Sequence, residues 1–175
     1  MKGLSPRAQK LIGTFAQQEA LKRGNEEMLP EHVLLSMLKM ADSLGFILLK
    51  QLHINVLSFQ LALEQSLPVQ TVPQYFSELP LSRRLSTLLN GAAVESRTFR
   101  KEYVGTEHLL IAAVREEHSL AWQYFEQAHI SLDMVRKVLL EVYAHHSSSA
   151  DQAENMENSF SGARRGGMRP DARSR

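Results

Sequence analysis

The sequence predicts an all-α fold, a tandem repeat of two four-helix units with pseudo-twofold symmetry. Three observations predict it. The chain repeats itself at a near-constant offset, helix-start residues recur in register in both copies, and very little reads as strand. Leu4-Ser5-Pro6-Arg7 matches Leu81-Ser82-Arg83-Arg84 at an offset of 77, and Leu11, Ala16 and Arg23 match Leu88, Ala93 and Arg100 at the same offset. One residue is then lost. Glu31-His32-Val33-Leu34 matches Glu107-His108-Leu109-Leu110 at an offset of 76, Ser43-Leu44 matches Ser119-Leu120, and Gln51-Leu52-His53-Ile54 matches Gln127-Ala128-His129-Ile130. The repeats span 4–67 and 81–143, with 68–80 as connector, carrying Pro68, Pro73 and Pro80.

The elements follow in order. Ser5 caps a first helix, with Pro6 at its favoured first position. Ala8, Leu11, Ile12, Phe15, Ala16 and Leu21 keep the spacing of one helical face, and Gly24-Asn25 stops it. Pro30 opens the second helix, Ser43 the third, and Asn55 caps a fourth that runs to about Leu67. In the second copy the caps are Ser82, Thr106, Ser119 and Ser131, three of them aligned with Ser5, Ser43 and Asn55. Phe46, Leu49, Trp122, Tyr124 and Phe125 belong to the core side of the third helices. Val69 to Val72 alternates but is short and bracketed by prolines. Tyr75-Phe76 tacks the connector down or offers a docking patch.

Composition bounds the function. The chain has 175 residues, 43% of them hydrophobic, with 20 Lys+Arg against 19 Asp+Glu. That is an ordinary globular balance, and a net charge of +1 does not suit a protein built to neutralise phosphates or anionic lipid. Residues 1–143 carry 15 basic and 15 acidic groups, whereas 161–175 hold five Arg and one Asp. The segment 146–175 is rich in Ser, Gly and Asn and reads as a disordered linker or tail, leaving 1–145 as the domain. Nucleic-acid binding by that tail would be weak and salt-sensitive. Zero Cys excludes disulfides and thiolate metal sites. No apolar run is long enough to span a membrane and the N-terminus lacks the apolar core of a signal peptide, so the expected location is the cytoplasm.

Catalysis is not expected. There is no phosphate-cradling G-x-x-x-x-G-K-[ST], no H-E-x-x-H and no G-x-S-x-G. No cofactor or metal is called for. The histidine pairs His32/His108 and His53/His129 are repeat equivalents, which marks a capping or packing role performed twice. His145-His146, adjacent at a helix end, make a poor metal site. One constellation could bind. Ser5 and Ser82 are N-caps, and Glu31 and Glu107 lie in first helical turns, where a carboxylate complements the helix dipole. Helix N–H groups and a hydroxyl also receive an anion, while a carboxylate receives a guanidinium, so these residues suit a ligand carrying both charges, twice per chain.

These residues are also a resemblance. Ser5-Pro6-Arg7-Ala8-Gln9-Lys10, Glu19-Ala20 and Glu31-His32-Val33-Leu34-Leu35, then Tyr103-Val104-Gly105-Thr106-Glu107-His108-Leu109-Leu110 and His129-Ile130-Ser131-Leu132, resemble the Clp N-terminal repeat domain. The likeness covers about 4–143 and is nearer the ClpC/ClpA type of Hsp100 unfoldase than the ClpB type. It implies a domain that receives protein substrates and adaptors at the mouth of an ATP-driven unfoldase, ahead of the ATPase domains and the ClpP peptidase. It also implies two pockets for phosphorylated arginine, Ser5 with Glu31 and Ser82 with Glu107. The first copy reads Leu29-Pro30 where the second reads Gly105-Thr106, so the resemblance gives the fuller site to the second copy. The tail composition favours a piece of a longer unfoldase. The alternative is a stand-alone helical regulatory protein that binds a partner without an ATPase, and the two differ in whether a nucleotide-binding motif follows the tail.

Overall fold

The computed structural model describes residues 3–70 and 78–146. The Tyr75-Phe76 pair and the tail from 147 lie outside the described residues. By internal contacts the chain divides into Met1–Leu139 and Leu140–Arg175. Of the second unit only 140–146 is described, as helix, with His146 Nδ1 3.0 Å from the Val142 carbonyl.

The first unit is built from helices, and among the described residues strand pairing is limited to two isolated bridges. The first copy holds α1 (Pro6–Lys10), a π-helical stretch (Leu11–Ala16), α2 (Gln17–Lys22), α3 (Pro30–Leu38), α4 (Leu44–Gln51) and α5 (Val56–Ser66). The second holds α6 (Arg83–Thr98), α7 (Thr106–Arg115), α8 (Leu120–Gln127) and a last helix, α9, over 132–146. Residues 6–22 are helical without a break, so each copy supplies four rods. No single described helix is long and apolar enough to cross a membrane.

The caps sit where the sequence places them, with one exception. The side-chain oxygens of Ser5, Ser43, Asn55, Ser82, Ser119 and Ser131 each accept from the backbone N–H three residues on, at 3.0–3.2 Å. Thr106 is not a cap. Gly105 takes that position, and the Thr106 hydroxyl accepts from the Gly45 N–H instead, at 2.9 Å. The caps of α3 and α7 come from behind. His32 Nδ1 accepts from Leu29 N–H at 2.8 Å, and His108 Nδ1 accepts from Gly105 N–H at 2.9 Å. A side chain at the third helical position bonding back to the cap backbone is the reciprocal half of a capping box, here made by imidazole. The other histidine pair also has one role played twice. His53 and His129 end α4 and α8 in the left-handed region, at φ 58° and 57°.

The one-residue slip between the copies falls earlier than the identities suggest. Glu19 is held by Lys39 and Arg23, and Glu95 by Arg115 at 2.8 Å. Glu19 to Glu95 and Lys39 to Arg115 are both offsets of 76. Gly24 and Arg100, again 76 apart, share a left-handed turn at φ 73° and 55°. The extra residue is therefore absorbed within the first helix, where the π-helical stretch stands against an uninterrupted α6. A π turn takes up a single insertion without breaking the rod. Burial raises the Glu19 pKa, but the Lys39 hydrogen bond and the charges of Lys39, Arg23 and Lys22 outweigh it, leaving the carboxyl below its ordinary value.

The pseudo-twofold relation can be read from bonds. Met28 N–H donates to Pro80 O (2.9 Å) and Ser82 N–H to Met28 O (3.0 Å), while Val104 N–H donates to Gly3 O and Ser5 N–H to Val104 O, both 2.9 Å. Each residue in the first set is the repeat equivalent of one in the second, which is what a twofold axis produces. The core lies around α3 and α7. Every residue from Pro30 to Leu38 and from Thr106 to Val114 is buried, so these helices are enclosed on all sides. α5 meets α8 through Phe59, whose ring centroid lies 4.9 Å from that of Tyr124 and 6.4 Å from that of Phe125. Leu49 and Phe125 are core residues as expected, while Phe46, Trp122 and Tyr124 are half-buried.

Candidate functional site

The twofold pairing decides which residues meet. The bonds from Ser82 to Met28 place the start of α6 beside the segment that enters α3, which carries Glu31. Those from Ser5 to Val104 place the start of α1 beside the segment that enters α7, which carries Glu107. The pairing within each copy, Ser5 with Glu31 and Ser82 with Glu107, is thus crossed in the structure. Ser82 belongs with Glu31 and Ser5 with Glu107, because each first helix begins against the other copy. Both hydroxyls are engaged as caps, and Ser82 is buried.

The two carboxylates have different surroundings. Glu31 receives the Arg84 guanidinium in a fork, Nη2 to Oε1 at 2.8 Å and Nη1 to Oε2 at 3.4 Å, with Arg84 Nε 3.9 Å from Glu116 Oε1. Burial works to lower the Arg84 pKa, and the Glu31 hydrogen bond and the Glu31 and Glu116 charges overcome it, so the group is held above its ordinary value. The cleft there, lined by Pro30, Glu31, Arg84, Glu116 and Ser119 among others, has a cavity of only about 10 Å³. That is room for at most one water. Arg7, the repeat equivalent of Arg84, turns elsewhere. It reaches Asp42, Nη1 to Oδ2 at 3.2 Å, on an exposed surface.

Glu107 folds back over its own helix start. A Cβ on Gly105 would lie 2.4 Å from Glu107 Oε1 and 2.5 Å from Oε2. The residue is 5% exposed, with Oε1 3.5 Å from His108 Nδ1. Glu31 cannot copy this conformation, because Leu29 stands where Gly105 does and brings a Cβ. Its carboxylate extends instead to Arg84. A single glycine therefore sets two carboxylates to different tasks. Gly105→Ala is accordingly expected to push the Glu107 carboxylate outward while costing less than about 1 kcal/mol, since the Gly105 φ of −96° suits alanine and only the end of a flexible side chain must move. A urea midpoint close to wild type is the result to look for. A collapse in stability would mean that the folded-back carboxylate holds the helix start.

The sequence reading missed the arginines. Arg84 and Arg7 lie inside the matched Leu-Ser-x-Arg strings, two residues after each cap, and that position was the signal. Among the described residues no group of three or more His, Asp or Glu side chains is placed to hold a metal.

An all-α duplication whose copies interlock about a twofold axis, each helix start facing the other copy's buried glutamate, defines a class of duplicated helical domain. The chain matches the Clp repeat (R) N-terminal domain over residues 3–128 and again over 89–161, and it belongs to that family. It is 28% identical over 145 residues to the chaperone protein ClpB of Oceanobacillus iheyensis, covering 82% of this chain and 17% of that protein. It is 26% identical over 153 residues to the negative regulator of genetic competence ClpC/MecB of Bacillus subtilis, covering 87% and 18%. The chain thus spans under a fifth of these relatives, and the two identities do not separate a ClpC type from a ClpB type. Its fold is that of the Hsp104 N-terminal domain from Candida albicans, with a TM-score of 0.64, 21% identity and coverage of 80% and 91%. A ClpV N-domain solved in complex with a VipB peptide is similar too, with a TM-score of 0.64, 19% identity and coverage of 78% and 86%.

Proposed function

We propose that this chain is the substrate- and adaptor-receiving N-terminal domain of an ATP-dependent, ClpC-like Hsp100 unfoldase. It carries no catalysis of its own and passes proteins to ATPase domains and, through them, to a ClpP peptidase in the cytoplasm. Residues 1–145 are the receiving domain and 146–175 the linker. The ClpV N-domain seen with a peptide supports the receiving role. The observation that carries the reading furthest is the twice-built juxtaposition of a helix N-terminus with a buried glutamate from the other copy.

Each juxtaposition suits phosphoarginine. The guanidinium takes the carboxylate, and the phosphate takes the helix start and the neighbouring arginine. At Ser82 and Glu31 the ligand must first displace Arg84 from the carboxylate. At Ser5 and Glu107 the equivalent Arg7 is on Asp42, so no arginine of this kind has to leave. The test is calorimetric titration of the full chain with phosphoarginine, beside phosphate and free arginine, repeated with Glu31→Ala and Glu107→Ala. Saturable binding of phosphoarginine alone, weakened mainly by Glu107→Ala, is the expected result. Absence of binding at millimolar ligand would overturn the tag-reading role and leave the four residues as caps and ion-pair partners.

A further inference from the structure

A second cleft lies away from both glutamate sites. It is a cavity of about 300 Å³, bounded by Phe15 and Gln18 on the first rod and by Ser36, Lys39 and Met40 at the end of α3, with Glu19 as floor and Lys22 at the edge. Its volume matches the low end of clefts that hold small ligands or a single large side chain. Phe15 and Met40 are the apolar residues of its wall, and methionine adapts to varied shapes.

Its charge is one-sided. Glu19 is the only acid in the wall, and Lys39 and Arg23 already hold it. Lys22 and Lys39 are exposed, and Lys10 Nζ lies 6.0 Å from the Phe15 ring centroid on the same rod. The cleft therefore presents excess positive charge around an aromatic and a thioether.

The repeat supplies an internal control. The same buried carboxylate recurs as Glu95, held by Arg115 and by Arg136 at 3.0 Å where the first copy uses Lys39 and Arg23. The position equivalent to Arg136 is Gln60, which bonds Glu64 instead. Gln18, Lys22, Ser36 and Met40 are replaced in the second copy by Val94, Thr98, Ala112 and Glu116. The π-helical insertion, a feature often found at functional sites, also falls only in the rod that bears Phe15. The two copies thus share the scaffold here and differ in nearly everything that faces the cleft.

We propose that this cleft binds an acidic peptide segment carrying an aromatic or large aliphatic side chain. The apolar side chain lies against Phe15 and Met40, and the flanking carboxylates meet Lys22 and Lys39. A nucleic acid fits less well, because three lysines around one cleft on a body of zero net charge give no track for a phosphate backbone.

The test uses the full chain and three fluorescein-labelled, end-blocked tripeptides, Asp-Phe-Asp, Asp-Ser-Asp and Lys-Phe-Lys, with an oligothymidylate beside them. Anisotropy is expected to show saturable binding of Asp-Phe-Asp, at least tenfold weaker binding of the other two peptides, and no comparable binding of the oligonucleotide. Lys22→Glu, on an exposed position, is expected to weaken Asp-Phe-Asp about tenfold, and Phe15→Ser to do the same. Glu31→Ala and Glu107→Ala should leave it unchanged, which separates this site from the phosphoarginine reading. Equal binding of Asp-Ser-Asp or of oligothymidylate would reduce the cleft to a charged surface and overturn the proposal. So would an unchanged affinity in Lys22→Glu.

Discussion

Lowering the pH from 7 to 4.5 is expected to remove about 2–3 kcal/mol of stability through His32 alone. His32 is fully buried. Its Nδ1 accepts from Leu29 N–H, so its proton sits on Nε2 and is donated to Asn25 Oδ1 at 2.7 Å. A second proton would face the Leu29 N–H, donor against donor. Burial pushes the His32 pKa down to about 4, with Arg23 adding to the effect and the Glu31 and Glu19 charges opposing it. In the unfolded chain the group titrates near its ordinary value of about 6.5. Between those values the unfolded state binds the extra proton and the native state does not. Stability is therefore complete above pH 6.5 and is lost as pH falls toward the folded value. Urea midpoints at pH 7, 5.5 and 4.5 measure the slope. His32→Gln keeps an acceptor and a donor but does not titrate, and should flatten the profile over this range. An unchanged slope in that variant would assign the acid sensitivity to other groups.

The histidine case shows what the sequence reveals and what it withholds. That His32 and His108 perform one structural task twice follows from their equal places in the two copies. That the task is a backbone cap from the third helical position needs coordinates, because imidazole is not the usual residue there. The caps at Ser5, Ser43, Asn55, Ser82, Ser119 and Ser131 were legible because a short polar side chain before an apolar run has one common use. Thr106 fits the same rule and breaks it, since Gly45 from the other copy claims its hydroxyl. The slip between copies was misplaced because Ala92-Ala93 matches Ala16 at either offset, so identities alone do not locate the inserted residue. The crossed pairing of Ser82 with Glu31 was out of reach for a different reason. Matching within each copy carries no information about how two copies dock, and the partner of each glutamate comes from the opposite one. The candidate site was readable as residue types, then, but not as an assembled geometry.

Gly45→Ala is expected to cost about 2–3 kcal/mol, a large effect for one methyl group, lowering Tm by roughly 8 °C. The residue is buried where α4 crosses onto α7. A Cβ there would lie 2.5 Å from Met37 Sδ and 3.1 Å from the Thr106 carbonyl. Met37 is itself fully buried, so its sulfur has little room to retreat. The second copy shows how the same crossing accepts a methyl. Gly45 corresponds to Ala121 and Met37 to Ala113, so one copy pairs a glycine with a long side chain and the other pairs two alanines. The total volume is met in two ways. Met37→Ala alone opens a cavity and should destabilise by about 2–4 kcal/mol. Combined with Gly45→Ala it recreates the arrangement of the second copy, and the double variant should be at least as stable as Met37→Ala. A double-mutant cycle read by urea unfolding checks this, with a coupling of more than about 1 kcal/mol expected for side chains in direct contact. Additive losses would mean that the Thr106 carbonyl, rather than the methionine, excludes the methyl group, and that the backbones of α4 and α7 set their own spacing. Gly91→Ala serves as the control. Its Cβ would meet only Ala112 at an ordinary 3.6 Å, so the helix-interior gain of about 0.5–1 kcal/mol should appear there undiminished.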